Sequence, residues 1–137
     1  MKVRKGNKKD VKNLEKINLI AQKDTKWWIP QNASFYKKFL KNKDNAVYLA
    51  FDKDNLVGFL SLEFSKERKS TSINDLYVLK EFRNKKIAKK LIQLVLKDWR
   101  IRSKSIVLLT ADRNLLIFKK LGFKKTMNFM EFEKLKH

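Results

Sequence analysis

A basic segment between positions 83 and 90 has the pattern best suited to binding a charged group. Five cations fall within eight positions where a strand-like run gives way to a helical one: Arg83, Lys85, Lys86, Lys89 and Lys90. The first turn of a helix leaves backbone N–H groups unpaired at the positive end of the helix dipole. Such a helix start binds anions, and a pyrophosphate is its natural occupant. A solvated basic helix start is the alternative, because lysines occur throughout this chain.

The elements around this segment form a strand–helix–strand unit. Apolar residues recur with helical period from Ile87 to Trp99 and predict one amphipathic helix. A strand over about 71–78 precedes that helix. The continuous apolar run Ser105–Thr110 follows it and predicts a strand buried on both faces. The two strands and the helix are therefore expected to form one βαβ unit.

The remaining periodicities predict the other elements of an α/β (α+β) fold. In chain order they are an edge strand at 3–5, a helix capped by Asp10, a helix over 34–40, hairpin strands over 46–51 and 56–64, a short helix capped by Asp112 and ended by Gly122, and a last strand over Met127–Phe132. The order is β α α β β β α β α β. It predicts a mixed, mostly antiparallel sheet flanked by helices, in one domain spanning 1–137.

The composition excludes several kinds of site. The chain has no Cys, and its one His is the final residue, His137. Disulfides, thiolate or zinc sites and a Ser-His-Asp triad are therefore not expected, and no metal is assigned. No apolar run approaches the roughly 20 residues that span a bilayer. The basic N-terminal stretch has no apolar segment behind it, so we do not expect it to be a secretory signal. We expect a cytoplasmic protein that does not bind membranes.

The net charge is +20, from 34 Lys plus Arg against 14 acidic residues. A positive field of this size attracts nucleic acid, phosphorylated cofactors and acidic surfaces. The lysines are spread along the whole chain, so a lysine-rich codon usage explains the charge equally well. A polyanionic or ribosome-associated target is one interpretation of this charge, and a basic nucleic-acid-binding module is another.

Four segments together resemble the Gcn5-related N-acetyltransferase (GNAT) family. Arg83–Ala88 is similar to the Arg/Gln-x-x-Gly-x-Gly/Ala motif of that family, and Phe118–Phe123 resembles its later aromatic-x-Lys-x-Gly-Phe signature. The stretch 76–78 lies where those proteins bond the pantetheine arm, and 4–11 resembles the usual opening. The resemblance covers nearly the whole chain. It implies acetyl-coenzyme A (acetyl-CoA) as cofactor, bound by Leu76, Tyr77, Val78, Arg83, Asn84, Lys85, Lys86, Ile87, Ala88, Lys89, Asn114 and Phe118.

The chain departs from the family pattern at three places. Lys86 stands where the motif usually has Gly, so its Cβ is expected to reduce the affinity for coenzyme A without abolishing it. Phe118 stands where a Tyr often protonates the departing thiolate. Ala111 and Asn114 are exchanged relative to the usual Asn-x-x-Ala. The usual general acid is therefore absent, and water, another hydroxyl or positioning alone must replace it.

The reaction that the resemblance implies is direct attack of an amine on the acetyl thioester. The amine belongs to a small molecule, peptide or protein, and a carboxylate can remove its proton, often through water. Glu63 and Asp75 on the central strands are the two candidate bases. A site that only orients its substrates is the third possibility. Backbone N–H near Val78 could polarise the thioester carbonyl.

Aromatic residues near the junction of the first two helices are candidates for acceptor binding. Trp27, Trp28 and Tyr36 lie there, and the family uses this region to line the acceptor cleft. They form either a binding wall or ordinary core packing. A catalytically weak coenzyme A-binding regulator is the alternative to an enzyme. The chain is expected to be a monomer or a homodimer, with pairing of edge strands as one route to the dimer.

Overall fold

The computed structural model describes residues 1–110, 114–128 and 130–132. Five strands form one sheet in the order β1-β2-β3-β4-β5. They are β1 Lys2–Lys5, β2 Asn45–Asp52, β3 Asn55–Ser65, β4 Ser70–Val78 and β5 Ser105–Leu108. The strands β1 to β4 pair antiparallel with one another, and β5 runs parallel to β4. The mixed, mostly antiparallel sheet and the edge position of β1 are therefore confirmed.

Four helices flank the sheet in the part of the chain that the structure describes. They are α1 Val11–Asp24, α2 Ala33–Phe39, α3 Ile87–Trp99 and α4 Leu115–Lys120, with 3₁₀ turns at Lys8–Asp10 and Lys80–Phe82. Strand alternation divides the core in two. One cluster joins Leu60 and Leu62 to α3, and the other joins Phe59 to α1 and α2. Within the described residues, no helix has the length and apolar character needed to cross a membrane.

Asp10 lies immediately before α1, as predicted, but its side chain does not cap that helix. Its carboxylate accepts two bonds from the Arg4 guanidinium, at 2.8 and 2.9 Å, and one from the backbone N–H of Asn7 at 2.8 Å. The Arg4 contact holds the pKa of Asp10 below its usual range. The residue therefore ties β1 to the start of α1 instead of capping α1 itself.

The prediction that 105–110 is a strand buried on both faces is wrong. The strand ends at Leu108, and Val107 and Leu109 are 44% and 79% exposed. Ile106 and Leu108 pack against the α3 cluster. β5 therefore has one face packed against α3 and one face open to solvent, so only alternate residues are covered. A continuous apolar run does not reveal that difference.

The end of α4 follows the prediction, and the segment after it does not. Gly122 has φ +100°, and backbone bonds run from Gly122 to Lys119 and from Phe123 to Phe118, both at 3.0 Å. This is the Schellman pattern in which a left-handed glycine ends a helix. The predicted strand over 127–132 is not formed at 127–128 or 130–132, where apolar side chains project into solvent. The predicted cap, Asp112, lies outside the described residues.

Candidate active site

β4 loses its parallel partner halfway along its length. The pairing with β5 runs from Ser70–Ser105 to Ile73–Leu108 and stops there, whereas β4 continues to Val78. At the same point a bulge leaves Asn74 without an opposite residue on β3. A bulge bends its strand and increases the local twist. On the side where β5 has ended, the second half of β4 therefore presents an edge that no strand of the described residues covers, called here the uncovered edge.

Two residues of β4 direct their backbone groups toward this uncovered edge. The N–H of Leu79 donates to the carbonyl of Val57 at 2.8 Å. Bonded and non-bonded pairs alternate along an antiparallel ladder, so Tyr77 also bonds to β3. Leu76 and Val78 occupy the alternate, non-bonded positions of this ladder. Their N–H and C=O groups point away from β3 and form a short row of donors and acceptors.

The loop before α3 has the backbone shape that glycine favours, although it contains no glycine. Asn84 and Lys86 have φ of 65° and 63°, and Lys86 is the residue immediately before the helix. This left-handed conformation costs a residue with a Cβ about 1 kcal/mol or more. The first turn of α3 then supplies unpaired N–H groups at Ile87, Ala88 and Lys89. Lys86 thus has a conformation that glycine favours and carries a side chain at that position.

Replacing Lys86 by Gly is expected to stabilise the fold and tighten acetyl-CoA binding. Glycine adopts φ of 63° without steric cost, although it loses more entropy on folding, so the net gain is up to about 1 kcal/mol. Thermal unfolding and calorimetric titration with acetyl-CoA measure the two effects. Lys85→Gly is the matched control, since it removes the same charge where no positive φ occurs. Weaker cofactor binding by Lys86→Gly would contradict this account of the Cβ.

Arg83 joins the loop to the end of α1. Its Nε donates to the carbonyl of Val78 at 3.0 Å, and its Nη2 pairs with Asp24. Tyr77 donates its hydroxyl to the same carboxylate at 3.0 Å, and the guanidinium carbon lies 5.5 Å from the Tyr77 ring centre. Arg83 and Tyr77 hold the pKa of Asp24 below its usual range, while burial and Asp24 raise the pKa of Tyr77 to about 12. Arg83 therefore fixes the loop from three directions.

Asp24→Asn is expected to weaken acetyl-CoA binding several-fold by releasing Arg83. Because the pKa of Asp24 is lowered, its contribution is complete above about pH 4, the ordinary range of an Asp, and is lost as the pH falls through the lowered value. Titration at pH 7 therefore detects the full effect. Asp54→Asn, in the exposed turn between β2 and β3, changes the same charge away from the loop. Equal dissociation constants for the two variants would show that Asp24 has no positioning role.

The two candidate carboxylates lie on either side of the bulge. Asp75 accepts a bond from the hydroxyl of Ser61 at 2.9 Å, and Ser61 is buried. Burial raises the pKa of Asp75, and the bond from Ser61 partly offsets this effect. Glu63 is exposed and accepts a bond from the Asn74 amide at 2.6 Å. Asp75 is half-buried and its pKa is raised, so it is the better suited of the two carboxylates to accept a proton.

The three aromatic candidates have different surroundings. Trp28 and Tyr36 are 7% and 0% exposed and belong to the core between α1, α2 and the sheet. Trp27 is 74% exposed, with its ring centre 5.8 Å from that of Trp28. Burial and the nearby Asp75 carboxylate raise the pKa of Tyr36. Trp27 is therefore the one of the three whose ring is open to a ligand.

Asn18 organises this region and was not identified from the sequence. Its Nδ2 donates to the carbonyl of Leu14 at 2.8 Å and to the hydroxyl of Tyr36 at 2.9 Å. Its Oδ1 accepts from Trp28 Nε1 at 3.1 Å and from the N–H of Gln31 at 3.0 Å. All four hydrogen-bonding positions of the amide are filled, and the residue is 1% exposed. A polar residue on the apolar side of a predicted helix was the available signal.

The remaining predicted cofactor residues lie in or before α4. Phe118 is half-buried, packs against the α3 cluster, and meets the Phe123 ring edge-to-face at 6.0 Å. Asn114 is the residue before α4, and its side chain makes no capping bond. Ala111 lies outside the described residues. The position where the family often has a Tyr hydroxyl is thus occupied by an apolar ring that contributes to packing.

The mixed sheet, its last parallel pair that separates, and the adjacent basic helix start together form one site at the end of β4. The sequence model described as an acetyltransferase (GNAT) domain matches residues 12–137. The chain belongs to the GNAT family, as the four motifs predicted. A search of curated protein sequences found no match.

Solved structures agree in fold. A probable acetyltransferase is 21% identical, with 100% of this chain and 99% of that chain covered and a TM-score of 0.79. An aminoglycoside acetyltransferase from an uncultured soil metagenomic sample, in complex with trehalose, is 17% identical, with coverage of 98% and 96% and a TM-score of 0.78. A predicted acetyltransferase from Clostridium acetobutylicum with acetyl-CoA is 19% identical, with coverage of 96% and 95% and a TM-score of 0.75.

Proposed function

We propose that this chain is an N-acetyltransferase that transfers the acetyl group of acetyl-CoA to an amine. The observation that carries the proposal is the uncovered edge of β4. Its outward-facing backbone groups at Leu76 and Val78 lead directly into the left-handed loop and the start of α3, and the Val78 carbonyl already accepts a bond from Arg83. An extended ligand ending in a pyrophosphate matches this sequence of sites. The neighbour from Clostridium acetobutylicum, which contains acetyl-CoA, supports the same assignment.

The residues at this edge fit acetyl-CoA. The outward N–H groups of Leu76 and Val78 and the carbonyl of Leu76 can bond the amides of the pantetheine arm in the manner of an added strand. The unpaired N–H groups of Ile87, Ala88 and Lys89 can hold the pyrophosphate, with Lys85 and Lys86 as neighbouring charges. Arg83 is engaged by Asp24 and Val78, so we assign it to shaping the loop. When bound, the cofactor supplies the activated acetyl thioester.

Asp75 is the general base in this proposal. Its carboxylate lies beside the bulge, on the face of the sheet covered by α1 and α2, and Ser61 fixes one of its oxygens. The raised pKa makes the ionised form a better proton acceptor for an attacking amine, directly or through water. Glu63 is the second candidate, and its bond from Asn74 keeps it near the same bulge.

Acceptor binding is assigned to the exposed ring of Trp27, with Trp28 and Tyr36 supporting it from the core. An amphipathic aromatic surface can pack against an aliphatic or ring-shaped amine carrier. The net charge of +20 favours acceptors that carry negative groups near the amine.

The packing of Phe118 supports a second candidate function, a coenzyme A-binding regulator with weak turnover. Phe118 cannot donate a proton to a thiolate, and its ring is held against Phe123. The proton must then come from water or from another group. Phe118→Tyr distinguishes the two functions, because a gain in turnover is expected only if proton donation limits an existing activity.

The deciding experiment combines binding with turnover. Calorimetric titration with acetyl-CoA, with dephospho-coenzyme A and ATP as controls, is expected to show saturable binding that favours acetyl-CoA over ATP. Thiol release is then followed on a panel of amines that includes aminoglycosides, peptides and polyamines. Binding with thiol release supports the enzyme, and binding without release on any amine supports the regulator. A folded protein that does not bind acetyl-CoA would overturn both.

A further inference from the structure

A basic groove lies at the end of the sheet opposite the proposed cofactor site. One wall is formed by the end of β3 and the turn into β4, and the other by the segment between α3 and β5. The groove has a volume of about 500 Å³, and its lining contains four cations: Lys66, Lys69, Arg102 and Lys104. β4 is nine residues long and separates this groove from the loop before α3 by about 26 Å. The groove is therefore distinct from the proposed acetyl-CoA site.

Hydrogen bonds hold the two walls together. The N–H of Lys104 donates to the carbonyl of Lys69 at 2.6 Å. The hydroxyls of Ser70 and Ser105 lie 3.0 Å apart, and Thr71 Oγ1 lies 2.7 Å from the hydroxyl of Ser103. Lys69 has φ of 50°, so a lysine stands at a turn position that favours glycine. The backbone positions of Lys69 and Lys104 are thus fixed by a hydrogen bond between the two walls.

Arg102 is held in place within the groove. Its guanidinium carbon lies 4.7 Å from the centre of the Phe64 ring and 4.6 Å from the centre of the Trp99 ring. Asp44 contacts Arg102 Nη2 at 3.5 Å and also Lys66 Nζ at 3.7 Å. The Arg102 side chain is 47% exposed. A guanidinium plane fixed by stacking, with donors still open to solvent, is suited to contact phosphate oxygens.

We propose that this groove binds the sugar–phosphate backbone of single-stranded nucleic acid. The cations supply contacts to successive phosphates, and the side chain of Ile101, which is 93% exposed in the same groove, offers an apolar surface to a base. This combination of charge with an exposed apolar group favours a single strand over an acidic peptide. Part of the net charge of +20 then serves to bind nucleic acid at this groove. Such binding does not depend on acetyl transfer.

The test compares two variants that lose equal charge. One carries K66Q, K69Q, R102Q and K104Q in the groove. The matched control carries K12Q, K16Q, K37Q and K38Q, at exposed positions on α1 and α2. Binding of a fluorescent 12-nucleotide uridine RNA is measured by anisotropy across a salt series. Each lost phosphate contact lowers the logarithmic salt slope by about 0.7, so the groove variant is expected to lose about 3 units. The control is expected to keep most of its slope.

A three-site variant that retains Arg102 guards against loss of folding and is expected to lose about 2 units of slope. Acetyl-CoA binding and thermal unfolding serve as checks that the fold is intact. Equal losses of slope in the groove and control variants would overturn the proposal and make the charge compositional. Absence of RNA binding by the wild-type chain at about 100 mM salt would also overturn it, as would competition by polyglutamate at the same charge concentration as RNA.

Discussion

Asp75→Asn is expected to lower kcat/KM by about 100-fold to 10,000-fold, the usual contribution of a positioned general base. The amide has the same shape and can still accept a bond from Ser61, which now lies 2.9 Å from the carboxylate. Acetyl-CoA affinity is expected to change little, because the proposed cofactor contacts are backbone groups of Leu76 and Val78. Steady-state kinetics with the best acceptor and calorimetry with acetyl-CoA measure the two quantities separately.

Stability separates loss of chemistry from loss of folding in this variant. Burial raises the pKa of Asp75, so the ionised carboxylate is disfavoured in the folded state at neutral pH. Removing the charge is therefore expected to leave the melting temperature unchanged or higher. Glu63→Gln is the matched control on the other side of the bulge. A larger loss of activity in Glu63→Gln than in Asp75→Asn would transfer the role of base to Glu63.

The pH dependence of kcat/KM tests the assignment of Asp75 as the general base. Activity requires ionised Asp75, so the acidic limb is expected at a higher pH than the ordinary Asp pKa of about 3.9. Ser61→Ala removes a donor that favours the carboxylate. The limb should then move to still higher pH. A limb that stays in place in Ser61→Ala would show that another group controls it.

Local periodicity predicted most of the fold because most elements bury a regular face. The α3 pattern from Ile87 to Trp99 and the hairpin of β2 and β3 repeat at the spacing of a helix and of strands. The edge position of β5 is set by neighbours that are distant in sequence. The run 105–110 therefore gave no sign that Val107 and Leu109 are exposed.

The parts of the site that one continuous segment forms could be predicted from the sequence. The contacts between side chains that are distant in sequence could not. The basic loop and Leu76–Val78 follow from one continuous segment. Asp24 contacts Arg83 across 59 positions, and Ser61 contacts Asp75 across 14. Neither pair has a spacing that distinguishes it from other polar residues. The sequence indicated that Lys86 departs from the motif, but it did not reveal that Lys86 has φ of 63°, a conformation that glycine favours.

Asn18→Ala is expected to destabilise the fold strongly, because Asn18 holds the segment between α1 and α2 that carries the proposed acceptor site. It leaves the buried indole N–H of Trp28 and the partly buried backbone N–H of Gln31 without their acceptor. Each unsatisfied donor costs about 1–3 kcal/mol, so the free energy of unfolding should fall by about 2–6 kcal/mol. For a chain of this length, that corresponds to a decrease of roughly 10 °C in melting temperature.

Asn13→Ala on the exposed side of the same helix controls for helix propensity. It is expected to leave stability unchanged or slightly higher, because alanine favours helices more than asparagine does. The two variants thus separate the buried amide from the helix itself. If Asn18→Ala melts within 2 °C of Asn13→Ala, the amide does not hold the segment between α1 and α2. A large difference would mean that Trp27 owes its place beside Trp28 to a hydrogen-bond network centred on Asn18. The acceptor side of the proposed site would then depend on one buried polar residue of α1.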